Sequence, residues 1–495
     1  MRIAYLSLIA ALAGAAPALA KASPEEQAAA QAAAVTQLHI INALDDSPGG
    51  PQLNAVIAVN PDAPKEAARL AGIGPLEGRA VLVKDNIETR ELPTTAGSLA
   101  LKDNATGRDA PLIVRLRAAG GVVLGKTNLS EWANIRSTRS SSGWSGVGGQ
   151  TRNPHAIDRN PCGSSAGSGA AVAAGMAWAA IGTETDGSIT CPASANGVVG
   201  FKPTVGLVSG KWVVPISHSQ DTAGPMASTV ADAALLLGAI AEPVAQAPKD
   251  RKGRVDFTTG LASASLKGVR IGVMTKQLGS HEGLRKVFDA ALADLRAAGA
   301  ELVEIDYQPD AAMFRDEGTV LHFELREDLG AYLRDLPGNP PVRSLADVVA
   351  FNKAHAAEEM RWFQQESFER ALTTTDTEAY AKARANSLRL AGPEGIDKLL
   401  ADNKVTLLIS PTRGPAWVTD LVAGDHGMGV GAGSLAAIAG YPHLTVPMGA
   451  VEGLPVGLSF IGAQWDDARV LAAGAAYERA RTAKLAVPRF KRWGE

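Results

Sequence analysis

The chain carries the run Asn160-Pro-Cys-Gly-Ser-Ser-Ala-Gly-Ser-Gly169 and, after an alanine-rich segment, the run Gly182-Thr-Glu-Thr-Asp-Gly-Ser-Ile-Thr-Cys-Pro-Ala-Ser194. Each run places serines in a turn of small residues. Upstream, a single lysine, Lys84, follows the apolar residues 81–83. A lysine and two serines can supply a base, a proton relay and a nucleophile without any histidine. These runs therefore indicate a candidate hydrolase of amides or esters.

The positions of these residues suit that chemistry. Ser188 directly follows a predicted buried strand, in a turn whose backbone N–H groups can converge as an oxyanion hole. Ser164 opens a predicted helix of small residues. Lys84 can act as a base only if burial lowers its pKa. An ion pair with Asp85 would oppose this, but alternation along an extended segment directs that side chain away from Lys84.

Strand-like and helix-like segments alternate along the chain, which predicts an α/β fold with buried strands. The predicted strands are Ala80–Val83, Gly121–Leu124, Ala179–Thr183, Val269–Met274, Val405–Ile409, His443–Pro447 and Val456–Ile461. The predicted helices are Pro24–Ala43, Ala110–Ala119, Ser165–Trp178, Thr229–Ile240, Gly283–Ala298, Leu345–Ala371, Glu378–Ala391 and Asp466–Arg481.

The sequence predicts a signal peptide and one large domain. Residues 1–20 combine Arg2, an apolar run and the small-x-small site Ala18-Leu-Ala20, so we expect an exported protein. We expect residues 21–495 to form a single domain, because they contain no linker-like tract and no second apolar span. Residues 314–386 look like a mostly helical insert, either a packing layer or one wall of a substrate cleft.

Composition excludes several classes of protein. A net charge of −3 over 495 residues favours neither nucleic acid nor an anionic membrane as a partner. Two cysteines are too few for a disulfide scaffold. Small apolar neighbours surround Cys162 and Cys191, so we expect buried free thiols, although an exported protein could join them.

The block Pro161–Pro203 resembles the signature of the amidase signature family, and Gly197-Val-Val-Gly-Phe-Lys-Pro-Thr204 matches its final part. The resemblance extends over nearly the whole chain. Further matching blocks are Lys84–Asn86, Gln150–Pro154, Asp221–Met226, Gly440–Pro447 and Gly453–Gly457. The resemblance implies a large mixed β-sheet covered by helices, and an enzyme that hydrolyses carboxamides and releases ammonia without a metal or cofactor.

The resemblance also implies roles for particular residues. Ser188 would be the nucleophile, Lys84 the base, and Ser164 the bridging serine after a cis peptide bond. The N–H groups of an oxyanion hole would come from Thr185, Asp186, Gly187 and Ser188. The substrate would be bound by Thr138, Ser140 and Ser165.

Three residues depart from the family pattern, since Cys162, Ala166 and Asp186 replace glycines. An ionised Asp186 pointing inward would oppose the oxyanion, so we expect it to turn outward or to bond neighbouring amides. With the export signal, this version of the signature looks most like the bacterial peptide amidases, which deamidate C-terminal peptide amides. The expected partner is a small-molecule or peptide amide, and the expected state is a monomer or homodimer.

The residues also suggest other hydrolases. Gly163-Ser-Ser-Ala-Gly167 fits Gly-x-Ser-x-Gly, which would make Ser165 the nucleophile with His426 or His443, but no strand-like segment precedes it. No lysine follows a serine at the Ser-x-x-Lys spacing, and no His-Glu-x-x-His motif indicates a metal site.

Two alternatives lie outside simple hydrolysis. An exported solute-binding protein fits the length and the signal peptide but needs neither the lysine nor the serines. An amidotransferase component that passes ammonia to a transfer RNA-linked substrate would need cytoplasmic partners, against which the signal peptide argues.

Overall fold

A computed structural model describes residues 22–243 and 256–495 of the chain. The predicted signal peptide lies outside the described residues. Eleven strands of the described part form one sheet, and β4 and β5 form a separate small ribbon. The strands are β1 Val56–Val59, β2 Ala80–Lys84, β3 Val122–Thr127, β4 Trp144–Ser145, β5 Gly149–Gln150, β6 Ala179–Glu184, β7 Val199–Lys202, β8 Thr222–Ala227, β9 Arg270–Met274, β10 Glu301–Ile305, β11 Leu407–Pro411, β12 His443–Val451 and β13 Leu454–Ile461.

The sheet is mixed, as the resemblance implied. Its order is β1-β3-β2-β6-β8-β7-β12-β13-β11-β9-β10. Strand β2 runs parallel to β3 and β6, and β9 runs parallel to β10 and β11, whereas the other neighbours pair antiparallel. The ends of the parallel trio β3-β2-β6 bring Lys84 beside the chain that leads to Ser188.

Helices cover both faces of this sheet. They are α1 Pro24–Ile41, α2 Ala63–Leu70, α3 Pro111–Ala118, α4 Ala166–Ala173, α5 Thr190–Ala195, α6 Val230–Ile240, α7 Glu282–Ala297, α8 Ala311–Asp335, α9 Leu345–Ala354, α10 Ala356–Glu359, α11 Glu366–Thr373, α12 Thr377–Ala391, α13 Lys398–Asp402, α14 Gly433–Ala439 and α15 Asp467–Ala480. In β2, Val81 and Val83 join one core and Leu82 joins the other, since alternate side chains of a strand face opposite sides. Both faces being covered explains the continuous apolar runs of the central strands.

The predicted helix Leu345–Ala371 is wrong, because the chain breaks it into α9, α10 and α11. The break coincides with buried polar contacts of Glu359. Its carboxylate accepts hydrogen bonds from Ser98 Oγ at 3.1 Å and from the Leu99 N–H at 2.6 Å, and its carbonyl accepts one from Arg136 at 2.6 Å. In a continuous helix the Glu359 carbonyl would accept from the N–H group four residues further on, whereas here it accepts from the Arg136 side chain.

Several elements escaped the sequence prediction. Strands β1, β7, β8 and β10 are additions, and β8 contains Gly224 and Pro225, which usually argue against a strand. The long helix α8 was predicted only as part of the mostly helical stretch 314–386. The predicted insert, 314–386, packs its own apolar cluster against residues near Leu101 and Trp132, and its Leu321 lines the cleft described below. Within the described ranges, no helix combines the length and apolar character needed to span a bilayer.

Candidate active site

Lys84 ends strand β2 and is completely buried. Its Nζ lies 2.7 Å from Ser164 Oγ, 2.9 Å from Thr183 Oγ1 and 3.3 Å from the carbonyl oxygen of Thr183. Asn86 Nδ2 donates to the same Thr183 hydroxyl at 3.0 Å. Thr183 belongs to β6, the parallel neighbour of β2. The sheet therefore fixes the position of the lysine nitrogen from two adjacent strands.

The environment of Lys84 favours a neutral amine. Burial lowers its pKa to about 7, and the negative charges of Asp221 and Glu184 oppose the shift without cancelling it. Asp85 turns away, as alternation along the strand predicted. It forms an ion pair with Lys126 at 3.1 Å and accepts a hydrogen bond from the Thr95 hydroxyl. The carboxylate next to Lys84 in sequence is thus paired with another lysine.

The two serine turns are tied together by a backbone hydrogen bond. The peptide bond between Gly163 and Ser164 is cis, as the resemblance implied. The carbonyl oxygen of Ser164 accepts from the Ser130 N–H at 3.0 Å, and the Ser165 N–H donates to the carbonyl oxygen of Ser188 at 3.1 Å. Ser188 lies on the wall of a cleft next to Gly163. This arrangement brings Lys84, Ser164 and Ser188 into one region of the fold.

The turn before α5, residues 185–188, lines the cleft. The Glu184 carboxylate accepts from the N–H groups of Ile189 at 2.7 Å and Thr190 at 2.9 Å, which holds the turn against the helix. Gly187 has a φ of +78°, a left-handed conformation that favours glycine. Within the described residues, the N–H groups of residues 185–188 donate no backbone hydrogen bond. They are available to a developing oxyanion.

Cys162 and Cys191 form a disulfide, so the expectation of free thiols is wrong. Their Cα atoms are 5.9 Å apart, a separation that suits such a bond. Both sulfurs pack in a small cluster with Ala195 and Trp417. Small apolar neighbours therefore do not distinguish a buried thiol from a buried disulfide. The bond joins the turn of Ser164 to the turn of Ser188.

Asp186 does not turn outward and lies in the cleft wall. Burial raises its pKa, a hydrogen bond from Ser434 opposes the shift, and the charge of Glu184 raises it further. The pKa of Glu317, on α8, is raised to about 8, first by burial and then by the charge of Asp186. Two acids that penalise each other's charge favour a protonated form. This explains how a carboxyl group is tolerated beside the oxyanion turn.

The cleft has a volume of about 450 Å³. Besides the signature turns, its walls include Ala133, Asn134, Ile135, Ser142, Leu321, Thr412, Arg413, Trp417, Asp425, Val430, Gly433, Ser434 and His443. The N–H and hydroxyl groups of Ser142 both donate to Asp425. This contact holds the 413–431 segment against the loop that precedes the first serine turn.

The predicted substrate-binding residues do not line this cleft. The Thr138 hydroxyl donates to Glu366 at 2.8 Å, and the Ser140 hydroxyl donates to the carbonyl of Ser137 at 3.0 Å. Ser165 is fully buried, and its hydroxyl bonds the backbone of Thr183. Ser142, from the same segment as Thr138, takes the lining position instead. Sequence spacing located the segment but not the side chain that faces the cleft.

One cluster outside the cleft could offer metal ligands. Ligand atoms of His218, Glu324 and Asp328 lie within 4.8 Å of one another. However, His218 Nδ1 faces Asp328 at 2.9 Å and Nε2 faces Glu324 at 3.5 Å. The two ring nitrogens thus point to different carboxylates rather than to a common centre. The geometry is that of a histidine bridging two acids.

Sequence reasoning missed Thr183 as a partner of Lys84, Asn86 as a second donor to the Thr183 hydroxyl, and Asp221 as a nearby charge. Asn86 and Asp221 stand in matching family blocks, a signal that points to them. The Thr185 hydroxyl donates to Asp221 at 2.6 Å, and Asp221 also accepts from the Ile216 N–H at 2.8 Å. Asp221 therefore anchors the start of the oxyanion turn.

The fold and this site agree with the family comparison, in which the model of the Amidase family matches residues 49–471. The chain belongs to the amidase family and is an enzyme that hydrolyses amides.

Two solved structures show which kind of amidase this chain is similar to. The solved structure of the peptide amidase from Stenotrophomonas maltophilia is 46% identical, with a TM-score of 0.86, over 93% of this chain and 95% of that one. A complex of the peptide amidase PAM with the competitive inhibitor chymostatin is 47% identical, with a TM-score of 0.88, over 92% and 95%.

Curated relatives span two kinds of protein. A probable amidase of Arabidopsis thaliana is 37% identical over 452 residues, covering 87% of this chain and 83% of its own. A glutamyl-tRNA(Gln) amidotransferase component from Synechococcus is 36% identical over 459 residues, covering 87% and 90%.

Proposed function

We propose that Lys84, Ser164 and Ser188 form the catalytic triad of an amidase that releases ammonia from C-terminal peptide amides. The observation that carries the proposal is the 2.7 Å contact between Lys84 Nζ and Ser164 Oγ in a fully buried setting. A lysine whose pKa burial lowers to about 7 can accept a proton at neutral pH. Ser188, on the cleft wall, is then the serine that meets the substrate.

The contacts of Lys84 suggest the direction of proton transfer. A neutral amine has two N–H groups and one lone pair. The carbonyl and hydroxyl oxygens of Thr183 lie within 3.3 Å and can accept both N–H groups. The lone pair is then left for the Ser164 hydroxyl. Ser164 passes its proton to Lys84 and takes one from Ser188, which attacks the carboxamide carbon.

The turn of residues 185–188 completes the mechanism. Its N–H groups can hold the oxyanion of the tetrahedral intermediate, an interaction typically worth about 10²–10³-fold in kcat per donor. Collapse of the intermediate breaks the C–N bond, and the relay returns the proton to the leaving nitrogen, giving ammonia. Water then hydrolyses the ester to Ser188 and restores the enzyme.

The peptide-amide substrate is supported by the peptide amidase structures at 46–47% identity over more than 90% of the chain. The cleft volume of about 450 Å³ lies within the range of sites that bind small organic ligands. Export is supported by the disulfide between Cys162 and Cys191, since such bonds persist in oxidising compartments. The same bond argues against a cytoplasmic amidotransferase role.

The test is ammonia release from amidated peptides and simple carboxamides by the wild type, Ser188→Ala and Ser165→Ala. We expect Ser188→Ala to lose at least about 10⁴-fold in turnover with an unchanged circular dichroism spectrum. Ser165→Ala is the matched control, because Ser165 is the alternative nucleophile and lies beside the same turn. Full activity of Ser188→Ala, or loss only in Ser165→Ala, would overturn the assignment. Hydrolysis of simple carboxamides but of no peptide amide would overturn the proposal that peptide amides are the substrate.

A further inference from the structure

One part of the cleft wall offers hydrogen-bond acceptors that the triad does not use. It consists of Asp186, Gly433, Ser434 and His443, and we name it the acceptor pocket. His443 begins β12 and is 1% exposed, yet its ring reaches the cleft lining. Its Nδ1 is buried without a hydrogen-bond partner among the described residues. Because this atom lies at the surface of the cleft, a ligand in the cleft can supply its hydrogen-bond partner.

The hydrogen-bond network behind His443 fixes which nitrogen carries the proton. Nε2 lies 2.7 Å from Ser459 Oγ, and that hydroxyl donates its only proton to Thr412 Oγ1 at 2.9 Å. Ser459 must therefore accept from Nε2–H. Burial and the charge of Lys202 lower the pKa of His443 to about 3, so the ring is neutral. The free Nδ1 is thus a hydrogen-bond acceptor.

A glycine keeps this acceptor open. A Cβ atom at position 433 would lie 3.0 Å from His443 Cε1 and 3.4 Å from Nδ1. Beside it on the same wall, the Asp186 carboxyl group keeps a carbonyl oxygen as an acceptor even when it is protonated. The pocket therefore offers hydrogen-bond acceptors to an N–H group of a ligand.

The position of the pocket limits which N–H group it can bind. Asp186 lies two residues before the nucleophile Ser188. A ligand N–H group bound beside Asp186 therefore lies close to the carbonyl that Ser188 attacks. The leaving nitrogen takes its proton from Ser164, so the leaving group faces that serine. The pocket then remains for the acyl side of the substrate. In a peptide amide, the nearest donor there is the α-N–H of the last residue.

Building on the proposed function, we infer that the acceptor pocket binds the α-N–H of the residue that carries the scissile carboxamide. The enzyme then distinguishes peptide amides from simple carboxamides by a donor that only the peptide supplies. His443 acts as a binding residue in this scheme and takes no part in proton transfer.

The test compares two substrates that differ in one atom. The first is N-acetylphenylalanine amide, and the second is its depsi analogue, in which an ester oxygen replaces the α-N–H. Ammonia release reports only the carboxamide in both. We expect the wild type to prefer the N–H substrate by roughly 10–100-fold in kcat/KM, the cost of an unpaired buried acceptor.

Gly433→Ala should reduce this preference, because the new methyl group covers Nδ1, while hydrolysis of the depsi analogue persists. Gly429→Ala is the matched control, since no atom lies within 4 Å of a Cβ there, and it should keep the wild-type ratio. Equal hydrolysis of both substrates by the wild type overturns the inference, whether or not the variant folds. An equal loss on both substrates in Gly433→Ala also overturns it. Hydrolysis of neither substrate by the wild type overturns the proposed function instead.

Discussion

The disulfide between Cys162 and Cys191 makes a quantitative prediction. The double variant Cys162→Ala/Cys191→Ala opens a loop with a sequence separation of 29 residues. The chain-entropy relation gives a loss of about 3.5 kcal/mol in the free energy of unfolding for a loop of this size. Unfolding entropy is about 2.1 cal/mol/K per residue, roughly 1 kcal/mol/K for this chain, so Tm should fall by about 3–4 °C.

The assay is thermal unfolding at a fixed scan rate, with and without dithiothreitol. The reductant should lower the Tm of the wild type by a similar amount and leave the double variant unchanged. Because Ser164 and Ser188 both lie inside the loop, activity should fall with the bond opened. A Tm equal to that of the wild type would refute the reasoning, as would an equal effect of dithiothreitol on both proteins.

Three further changes probe the base and the oxyanion turn. Asp221→Asn removes a charge that raises the pKa of Lys84, so the acidic limb of the pH profile of kcat/KM should move to lower pH; no movement would contradict the electrostatic account. Thr183→Val leaves buried donors unpaired, at about 1–3 kcal/mol, and should lower kcat by roughly 10–100-fold with little change in KM, which steady-state kinetics would check. Gly187→Ala forces a left-handed φ on alanine, costing about 1–2 kcal/mol, and should lower both Tm and kcat, whereas wild-type kinetics would refute the importance of the turn.

Local sequence predicted the elements that are long and strongly patterned. The strand ending at Lys84 and the strand before Ser188 are buried on both faces, so continuous apolar runs identified them. The bounds of helix α8 escaped because its apolar residues are spread among charged ones, and its packing against the 96–101 segment is a tertiary property. The break at Glu359 depends on contacts with Ser98 and Arg136, more than 200 residues away in sequence.

The same distinction between what local sequence predicts and what tertiary contacts decide applies to the site. Resemblance indicated Lys84, Ser164 and Ser188, and the fold places all three in one region. Thr183 could not be identified as the partner of Lys84 from residues alone, because the contact spans 99 positions and requires β2 and β6 to be neighbours. Thr138 was predicted from its segment, but only the loop conformation decides that Ser142 faces the cleft.

The prediction that Asp186 turns outward was wrong for an electrostatic reason. The expectation assumed an ionised carboxylate, which an oxyanion would repel. Burial and the charge of Glu184 instead raise the pKa of Asp186, and the pKa of nearby Glu317 is raised as well, so an inward position is tolerated. The burial of the Asp186 side chain thus decides whether an inward position is tolerated, and local sequence does not reveal that burial.

The most direct measurement of the central claim is covalent labelling with a fluorophosphonate, followed by peptide mapping by mass spectrometry. We expect one label, on Ser188, in the wild type. We also expect Lys84→Met to be labelled more slowly by roughly 10²–10⁴-fold, because the serine loses its base. Labelling on Ser164 or Ser165, or an unchanged rate in Lys84→Met, would contradict the assignment of Ser188 as nucleophile and Lys84 as base.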